Sequence, residues 1–389
     1  MTSLDIARLR AETPACETLI HFNNAGASLM PDPVYRAVLD HLALEQSVGG
    51  YAAEDDATSV LEDFYDAFAA LLNCDRSEIA YVENATRAWD MAFYSLPLKE
   101  GDRILTVEAE YVSNFLGFLH QAKRRGLVVD VVPSDASGQL DLDAMERMIT
   151  PQTRLVAITH VPTQGGLVNP AEDVGKIARR HGITYLLDAC QSVGQMPLDV
   201  QKIGCDLLSG TGRKFLRGPR GTGFLYVSKA ILDRLDPPFI DLHAATWTDA
   251  RSFELRPDAR RFENWESFVA GRVGLRAAVR YALALGLDPI RARVSMLADR
   301  LRDNLAALPG VKVRDLGCVR SGIVTFTKDG EQPCDIQARL RAANISVSVS
   351  SKSSAQLDFG RRGLLQVVRA SVHYFNTEKE ISILCEKLR

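Results

Sequence analysis

Two charged side chains in the middle of this chain could act together on one small molecule. Asp188 follows the apolar run 183–187, and Lys214 lies in a glycine-containing segment just ahead of the glycine-rich residues 218–223. A buried carboxylate favours a protonated ring nitrogen, and a lysine amine can hold an aldehyde as a Schiff base and then remove a proton. Alone, Asp188 could be a helix N-cap and Lys214 a solvated charge. Together, in this order, they predict pyridoxal 5′-phosphate (PLP) as cofactor.

Length, composition and charge limit the class of protein. A chain of 389 residues is long enough for two domains with separate apolar cores. Hydrophobic residues make up 46% and the formal net charge is −3, which predicts a globular enzyme that binds neither nucleic acid nor a membrane. The seven cysteines are scattered without metal-type spacing, which predicts free thiols, no metal site and a cytoplasmic location.

Short β-prone runs alternate with helical patterns through the first part of the chain. The runs 103–107, 155–159 and 183–187 are examples, and 114–125 is one of the helical patterns between them. Such alternation is typical of an α/β fold in which helices cover both faces of a mostly parallel sheet. The sequence therefore predicts a large α/β domain.

The pattern changes after residue 227. A long helical pattern covers 267–285, and short β-prone runs and a final helical pattern follow it. These elements predict a smaller C-terminal α+β domain. We place the large domain at 18–253 and the small domain at 254–389, with residues 1–17 packing on the small domain.

The sequence around Asp188 and Lys214 resembles the class V aminotransferase and cysteine desulfurase-like family, which are PLP-dependent enzymes of fold type I. In that family a strand ends in D-x-A-Q-S, and S-G-H-K-x-x-G-P-x-G-x-G follows a later strand. Gln191 matches the first motif, Thr211 replaces a phosphate-binding Ser, and Arg213 stands where desulfurases carry His. The resemblance implies catalytic roles for Lys214 and Asp188 and cofactor contacts from all five residues. A guanidinium suits phosphate at least as well as an imidazole.

Other segments resemble the cofactor contacts of the family. The sequence NATRA, which contains Ala85 and Thr86, resembles a phosphate loop that opens a helix; Thr86 could also cap that helix. Tyr111 replaces the His that stacks on the pyridine ring, although a tyrosine could also pack in a core. Thr163 replaces an Asn, with Gln164 as an alternative substitute.

Substrate and subunit contacts are implied in the same way. The resemblance implies substrate contacts from three residues of an N-terminal turn: Asn24, Ala25 and Gly26. Arg369 matches the arginine of an R-A-S motif that binds the substrate α-carboxylate, for which its planar fork is suited. Trp265 and Glu266 lie in a segment resembling a loop that reaches the cofactor phosphate of the neighbouring subunit, although Trp265 could also pack in an interface. The resemblance thus implies a homodimer with shared active sites.

The reaction is predicted within the class of PLP enzymes that act on a small α-amino acid substrate. We predict amino transfer first. Desulfurases of the family carry a nucleophilic cysteine on a loop before the C-terminal arginine, and the corresponding residues 346–354 contain none, which predicts against cysteine desulfurase activity. Residues 45–51 and 213–221 are similar to a branch that contains the ergothioneine-pathway C–S lyase. β-Elimination of that hercynylcysteine sulfoxide lyase type is therefore the alternative, and epimerisation stays open because the three reactions share their early steps.

Overall fold

The computed structural model describes residues 4–389. Its strands are β1 (Ile20–His21), β2 (Ile79–Val82), β3 (Arg103–Val107), β4 (Val128–Val132), β5 (Thr153–Thr159), β6 (Thr184–Asp188), β7 (Leu207–Thr211), β8 (Gly223–Val227), β9 (Ala245–Asp249), β10 (Ser252–Leu255), β11 (Val311–Val313), β12 (Ile323–Lys328), β13 (Ile345–Ser346), β14 (Ser348–Ser351) and β15 (Gln366–Ser371). Its α-helices are α1 (Ile6–Ala11), α2 (Asp32–Val48), α3 (Gly50–Asp56), α4 (Thr58–Leu72), α5 (Ala85–Tyr94), α6 (Val112–Arg125), α7 (Leu142–Met148), α8 (Ala171–Arg180), α9 (Val200–Ile203), α10 (Val269–Leu285), α11 (Leu287–Ala306), α12 (Pro333–Ala342), α13 (Gln356–Arg362) and α14 (Glu378–Leu388). Within residues 4–389 no helix is long and apolar enough to cross a membrane.

A seven-stranded sheet forms the centre of the fold, in the order β2-β8-β7-β6-β5-β3-β4. β8 pairs antiparallel with both of its neighbours, and the remaining pairs are parallel. Successive side chains of a strand point to opposite faces, so in β6 Tyr185 and Leu187 join one apolar cluster and Leu186 joins another. The predicted α/β fold with a mostly parallel, helix-covered sheet is confirmed.

The carboxyl ends of the parallel strands meet at one edge of this sheet. β5 ends at Thr159, β6 at Asp188 and β7 at Thr211. The register places Thr159 beside Asp188, and Asp188 beside Ser209. Ligands of open α/β sheets bind outside this edge, so the loops that leave it carry the predicted site residues.

Gly223 lets β8 pass close to the loop that begins α5. A Cβ atom on this residue would lie 2.8 Å from the carbonyl carbon of Asn84 and 2.9 Å from the carbonyl oxygen of Gly210. Asn84 caps α5, because its Oδ1 accepts a hydrogen bond of 2.9 Å from the Arg87 N–H. The missing side chain therefore brings the helix N-terminus to the edge of the sheet.

The C-terminal part forms a four-stranded antiparallel sheet, in the order β11-β12-β15-β14. Phe326 of β12 shares an apolar cluster with Leu301 of α11, Ile381 of α14 and Leu9 of α1. Helix α10 packs instead against α2 and α4. The predicted boundaries at 18–253 and 254–389, and the position of residues 1–17, stay predictions; residues 1–3 lie outside the described residues.

Candidate active site

A cavity of about 230 Å³ lies at the carboxyl edge of the seven-stranded sheet. Most of the predicted site residues line it: Ala85, Thr86, Tyr111, Thr163, Asp188, Gln191, Thr211, Arg213 and Lys214. Asn84, Asn114, Thr159, Val161 and Cys190 complete the wall. The tertiary structure thus brings together residues that span more than a hundred positions of sequence.

Asp188 ends β6 and is buried. Its Oδ1 accepts a hydrogen bond of 2.9 Å from the Cys190 N–H, as a turn-forming aspartate does. Its Oδ2 accepts a second bond of 2.9 Å from Nδ2 of Asn114, which also lines the cavity. Asp188 therefore caps no α-helix: one oxygen makes a local turn bond, and the other belongs to a tertiary contact.

Lys214 lies in the turn after β7 and is only 7% exposed, so it is not a solvated charge. Burial lowers the pKa of its amine; the nearby Cys190 and Asp188 oppose this shift, whereas the Arg213 and Arg369 charges add to it. Its Nζ lies 5.9 Å from the centre of the Tyr111 ring. A buried amine with a lowered pKa is suited to accept protons near neutral pH.

Arg369 of β15 is joined to the cavity wall by Thr163. Its Nη1 donates to Thr163 Oγ1 at 2.6 Å and to the Thr163 carbonyl at 3.0 Å, and its Nη2 donates to Asn23 Oδ1 at 3.2 Å. Gln191 Nε2 also donates to Thr163 Oγ1, at 2.8 Å. Burial and the Arg213 charge lower the pKa of Arg369 to about 10, so the guanidinium remains protonated at neutral pH.

The N-terminal turn touches this wall mainly through its backbone. The Ala25 carbonyl accepts a hydrogen bond of 3.0 Å from Gln191 Nε2, and the Gly26 carbonyl accepts one from Arg213. The Asn24 side chain is buried and donates to the carbonyl of the last residue of β15. The structure therefore places the turn beside the cavity, and its contacts to substrate stay predictions.

Trp265 and Glu266 lie outside the cavity of this chain. They line a separate groove with Tyr51 and Phe268, and Trp265 is 52% exposed. Their predicted contact is to a neighbouring subunit, so it stays a prediction. Gln164 is also absent from the cavity wall, and its Nε2 donates to a carbonyl near the end of the segment 346–354. Of the two alternatives, Thr163 is the residue that faces the cavity.

Glu110 is a buried residue of this site that the sequence analysis missed. Its Oε1 accepts hydrogen bonds from the Tyr111 N–H at 2.8 Å and from Asn114 Nδ2 at 2.9 Å, and its Oε2 accepts one from the Thr159 N–H at 3.0 Å. Burial raises the pKa of Glu110 to about 7; the bonds from Thr159 and Asn114 oppose the shift, whereas the Asp188 charge adds to it. Its position directly before Tyr111, the residue matched to the ring-stacking His, was the available signal.

The polar groups of the cavity fit PLP. At one end of the cavity, the N-terminus of α5 and the Arg213 guanidinium suit a phosphate group. At the other end, the Asp188 carboxylate suits a protonated ring nitrogen. Among the described residues, Gln191 Oε1 and Arg369 Nε are buried without a hydrogen-bond partner. Buried polar atoms in native proteins are normally paired, so these two atoms are available to bond a polar ligand.

Comparison with known proteins decides the family. The model of the class-V aminotransferases matches residues 20–384. The chain belongs to this family. Membership confirms the prediction of a PLP-dependent enzyme of fold type I.

Several relatives of similar length are named for one activity within this family. Proteins named probable cysteine desulfurase from Xylella fastidiosa and Pyrococcus abyssi are 32% and 30% identical to this chain, over 98% and 96% of it and 94% of each relative. The apo structure of a cysteine desulfurase from Thermococcus onnurineus NA1 is 28% identical, with a TM-score of 0.93 over 100% of this chain and 98% of that chain. The cystine C–S lyase C-DES, solved with its product cysteine persulfide, shares the fold at 24% identity and a TM-score of 0.88, over 97% of this chain and 98% of that chain.

These relatives correct the predicted reaction. The prediction placed amino transfer first and set cysteine desulfurase aside because residues 346–354 contain no cysteine. That prediction is wrong, because full-length relatives and a solved structure above 25% identity are named cysteine desulfurases. The error was to give the missing loop cysteine more weight than similarity over the whole chain. A single loop residue can change while the residues that act at the substrate's Cα remain.

Proposed function

We propose that this chain is a PLP-dependent enzyme that removes sulfur from L-cysteine and leaves alanine. The observation that carries the proposal is the cavity that holds Lys214 and Asp188, with Arg369 joined to its wall by Thr163. This arrangement offers a proton acceptor, a partner for a ring nitrogen and a partner for a carboxylate in one buried place. The full-length relatives named cysteine desulfurase support L-cysteine as the substrate.

The cofactor contacts proposed for this chain divide between two ends of the cavity. At one end, N–H groups at the start of a helix and a guanidinium favour an anion such as phosphate. The residues proposed for the phosphate are Ala85, Thr86, Thr211 and Arg213. At the other end, ionised Asp188 would favour a protonated ring nitrogen by close opposite charge. Tyr111 would lie against the ring, and Gln191 and Thr163 would supply polar contacts between the two ends.

Two side chains would act on the substrate. Bound PLP supplies an electron sink at the substrate's Cα. Arg369 would orient the α-carboxylate through its planar fork. Lys214 would take the Cα proton and return a proton as alanine forms, and its lowered pKa leaves a larger share of the amine neutral at neutral pH.

The sulfur atom needs an acceptor. In the proposed reaction the Cβ–S bond breaks, and a new S–S bond joins the sulfur to an acceptor thiol. Alanine and the acceptor persulfide together contain all atoms of L-cysteine and the acceptor. Because residues 346–354 carry no thiol, we propose that the acceptor thiol comes from elsewhere. In the assay dithiothreitol supplies this thiol, and its second thiol then closes a cyclic disulfide and releases the sulfur as sulfide.

Product analysis tests the proposed function. Holoenzyme is mixed with L-cysteine and dithiothreitol, and alanine, sulfide, pyruvate and ammonia are quantified. We expect equal amounts of alanine and sulfide, and neither with Lys214→Ala. Pyruvate and ammonia in place of alanine would show elimination, and a keto acid with the amino form of the cofactor would show amino transfer. Either result overturns the proposal.

We further propose that two copies form a homodimer with shared active sites and that the enzyme acts in the cytoplasm. Tyr51, Trp265 and Phe268 are exposed apolar residues along one groove, a feature typical of protein interfaces. Light scattering after size exclusion should give the mass of two chains, and Trp265→Ala or Glu266→Ala should weaken PLP binding if this segment reaches the partner's site. A monomeric holoenzyme would contradict the shared site, and recovery of the protein outside the cytosolic fraction would contradict the location.

A further inference from the structure

Glu110 is a buried carboxylate that the proposed reaction does not use. It follows β3 in the turn that leads into α6 and is 5% exposed. Five donors surround the two oxygens: Tyr111 N–H, Asn114 Nδ2 and the Thr159 hydroxyl reach Oε1, while Thr159 N–H and the Thr106 hydroxyl, at 3.1 Å, reach Oε2. An ionised carboxylate accepts hydrogen bonds on both oxygens and donates none. These donors favour the ionised carboxylate and so oppose the burial that raises the pKa of Glu110 to about 7.

Asn114 connects this carboxylate to the cofactor cavity. Its Nδ2 lies 2.9 Å from Glu110 Oε1 and 2.9 Å from Asp188 Oδ2. An amide nitrogen carries two hydrogens, so both are committed, one to each carboxylate. The orientation of the Asn114 amide, and with it one of the bonds to Asp188, depends on Glu110 as an acceptor.

Glu110 also fixes the backbone of the residue proposed to cover the ring. The Tyr111 N–H, the first group after Glu110, donates to Glu110 Oε1 at 2.8 Å. The same N–H also lies 3.2 Å from Thr159 Oγ1, and the Thr159 hydroxyl in turn donates to Glu110 Oε1. One carboxylate is thus bonded both to the chain at Tyr111 and to the amide that contacts Asp188.

We propose that Glu110 is a positioning residue for PLP, which holds Asp188 in place through the Asn114 amide and Tyr111 through its backbone N–H. The inference rests on the proposed roles of Asp188 and Tyr111 toward the cofactor. A glutamine replaces Glu110 poorly, because its NH₂ would face N–H donors on either side: the Thr159 N–H on one, or the Tyr111 N–H and the Asn114 amide on the other. A buried donor facing another donor loses its bond and keeps its desolvation cost.

A merely structural role predicts a different result from a positioning role. A structural glutamate would change the melting temperature but leave the affinity and orientation of PLP unchanged. A positioning glutamate changes both, because Asp188 and Tyr111 would move relative to the ring. The visible circular dichroism of bound PLP reports ring orientation, and titration of the apoenzyme reports affinity.

The test compares Glu110→Gln and Asn114→Leu with a matched control, Glu108→Gln. Glu108 precedes Glu110 by two residues but contacts Ser134 and Arg361, away from the cavity. We expect Glu110→Gln and Asn114→Leu to weaken PLP binding by about ten-fold or more, since each loses bonds to a charged group, and to reduce the visible circular dichroism. The control should stay within about two-fold of the native chain.

The double variant completes the test. Because Glu110 acts partly through Asn114, the combined loss should be smaller than the product of the two single losses. Native PLP affinity and circular dichroism in folded Glu110→Gln would overturn the proposal. If that variant does not fold, the same native values in Asn114→Leu would overturn it. These measurements use no L-cysteine, so they stand apart from the test of the proposed function.

Discussion

Replacing Arg369 with Ala would remove a buried guanidinium that is already oriented by Thr163 and Asn23. Its Nε has no partner among the described residues, which leaves a donor for a ligand. A substrate carboxylate at this place would lose a charge-assisted planar contact, a loss of about 2–5 kcal/mol when the remaining charge is buried. At about 1.4 kcal/mol per factor of ten, kcat/KM for L-cysteine should fall by about 30-fold to several thousand-fold.

The assay for Arg369 compares L-cysteine with cysteamine, which has the same amine and thiol but no carboxylate. Binding of each to holoenzyme is followed by the cofactor absorbance, and PLP affinity is measured separately. Arg369→Ala should weaken the binding of L-cysteine and leave the binding of cysteamine unchanged. Arg369→Lys should restore little of the L-cysteine binding, because lysine lacks the planar fork. Burial lowers the pKa of the nearby Lys214 amine, and a lysine at position 369 would be buried in the same way. It should therefore bind L-cysteine better as the pH falls. Equal effects on L-cysteine and cysteamine would refute the carboxylate assignment.

Three further predictions concern the catalytic pair and the core. Borohydride should attach PLP covalently to Lys214 in the native chain and should attach none in Lys214→Ala. A PLP-labelled peptide that contains a different lysine would contradict the assignment of Lys214 as the Schiff-base residue. Asp188→Asn should retain PLP but exchange the Cα proton of L-alanine into D₂O at least about ten-fold more slowly, because a neutral amide cannot favour the charged ring; unchanged exchange would leave Asp188 a structural role. Gly175→Ala should lower the free energy of unfolding in urea by about 1–3 kcal/mol, because its Cβ would lie 1.8 Å from the Ile203 carbonyl oxygen. Gly360→Ala is the matched control, because Gly360 is an exposed residue of helix α13 whose Cβ would meet only Lys352 Cε at 3.8 Å; equal stability of the two variants would refute the packing argument.

The reaction is the point at which sequence reasoning failed. The same cavity can serve several reactions of PLP, since the proton acceptor and the carboxylate partner are common to them. Residues 346–354 were given the deciding weight, although that segment lies apart from Lys214 and Asp188 in sequence. Similarity over nearly the whole chain to proteins named cysteine desulfurase is the stronger indication.

The sequence by itself determined the fold class and the cofactor. Both depend on local patterns: apolar runs of strand length separated by helical patterns, with Asp188 at the end of one run and Lys214 in a glycine-containing turn. A residue at the carboxyl end of a parallel strand is placed at the edge of the sheet by its own strand. Such positions can be predicted without knowledge of distant contacts.

Only the tertiary structure decided which residues complete the site. Asn114 meets Asp188 across 74 positions of sequence, and Arg369 meets Thr163 across 206. Glu110 lies among five donors because β3 and β5 pair side by side and the start of α6 follows β3 directly. No local pattern encodes such a contact, since it depends on how strands far apart in the chain are ordered and aligned in the sheet.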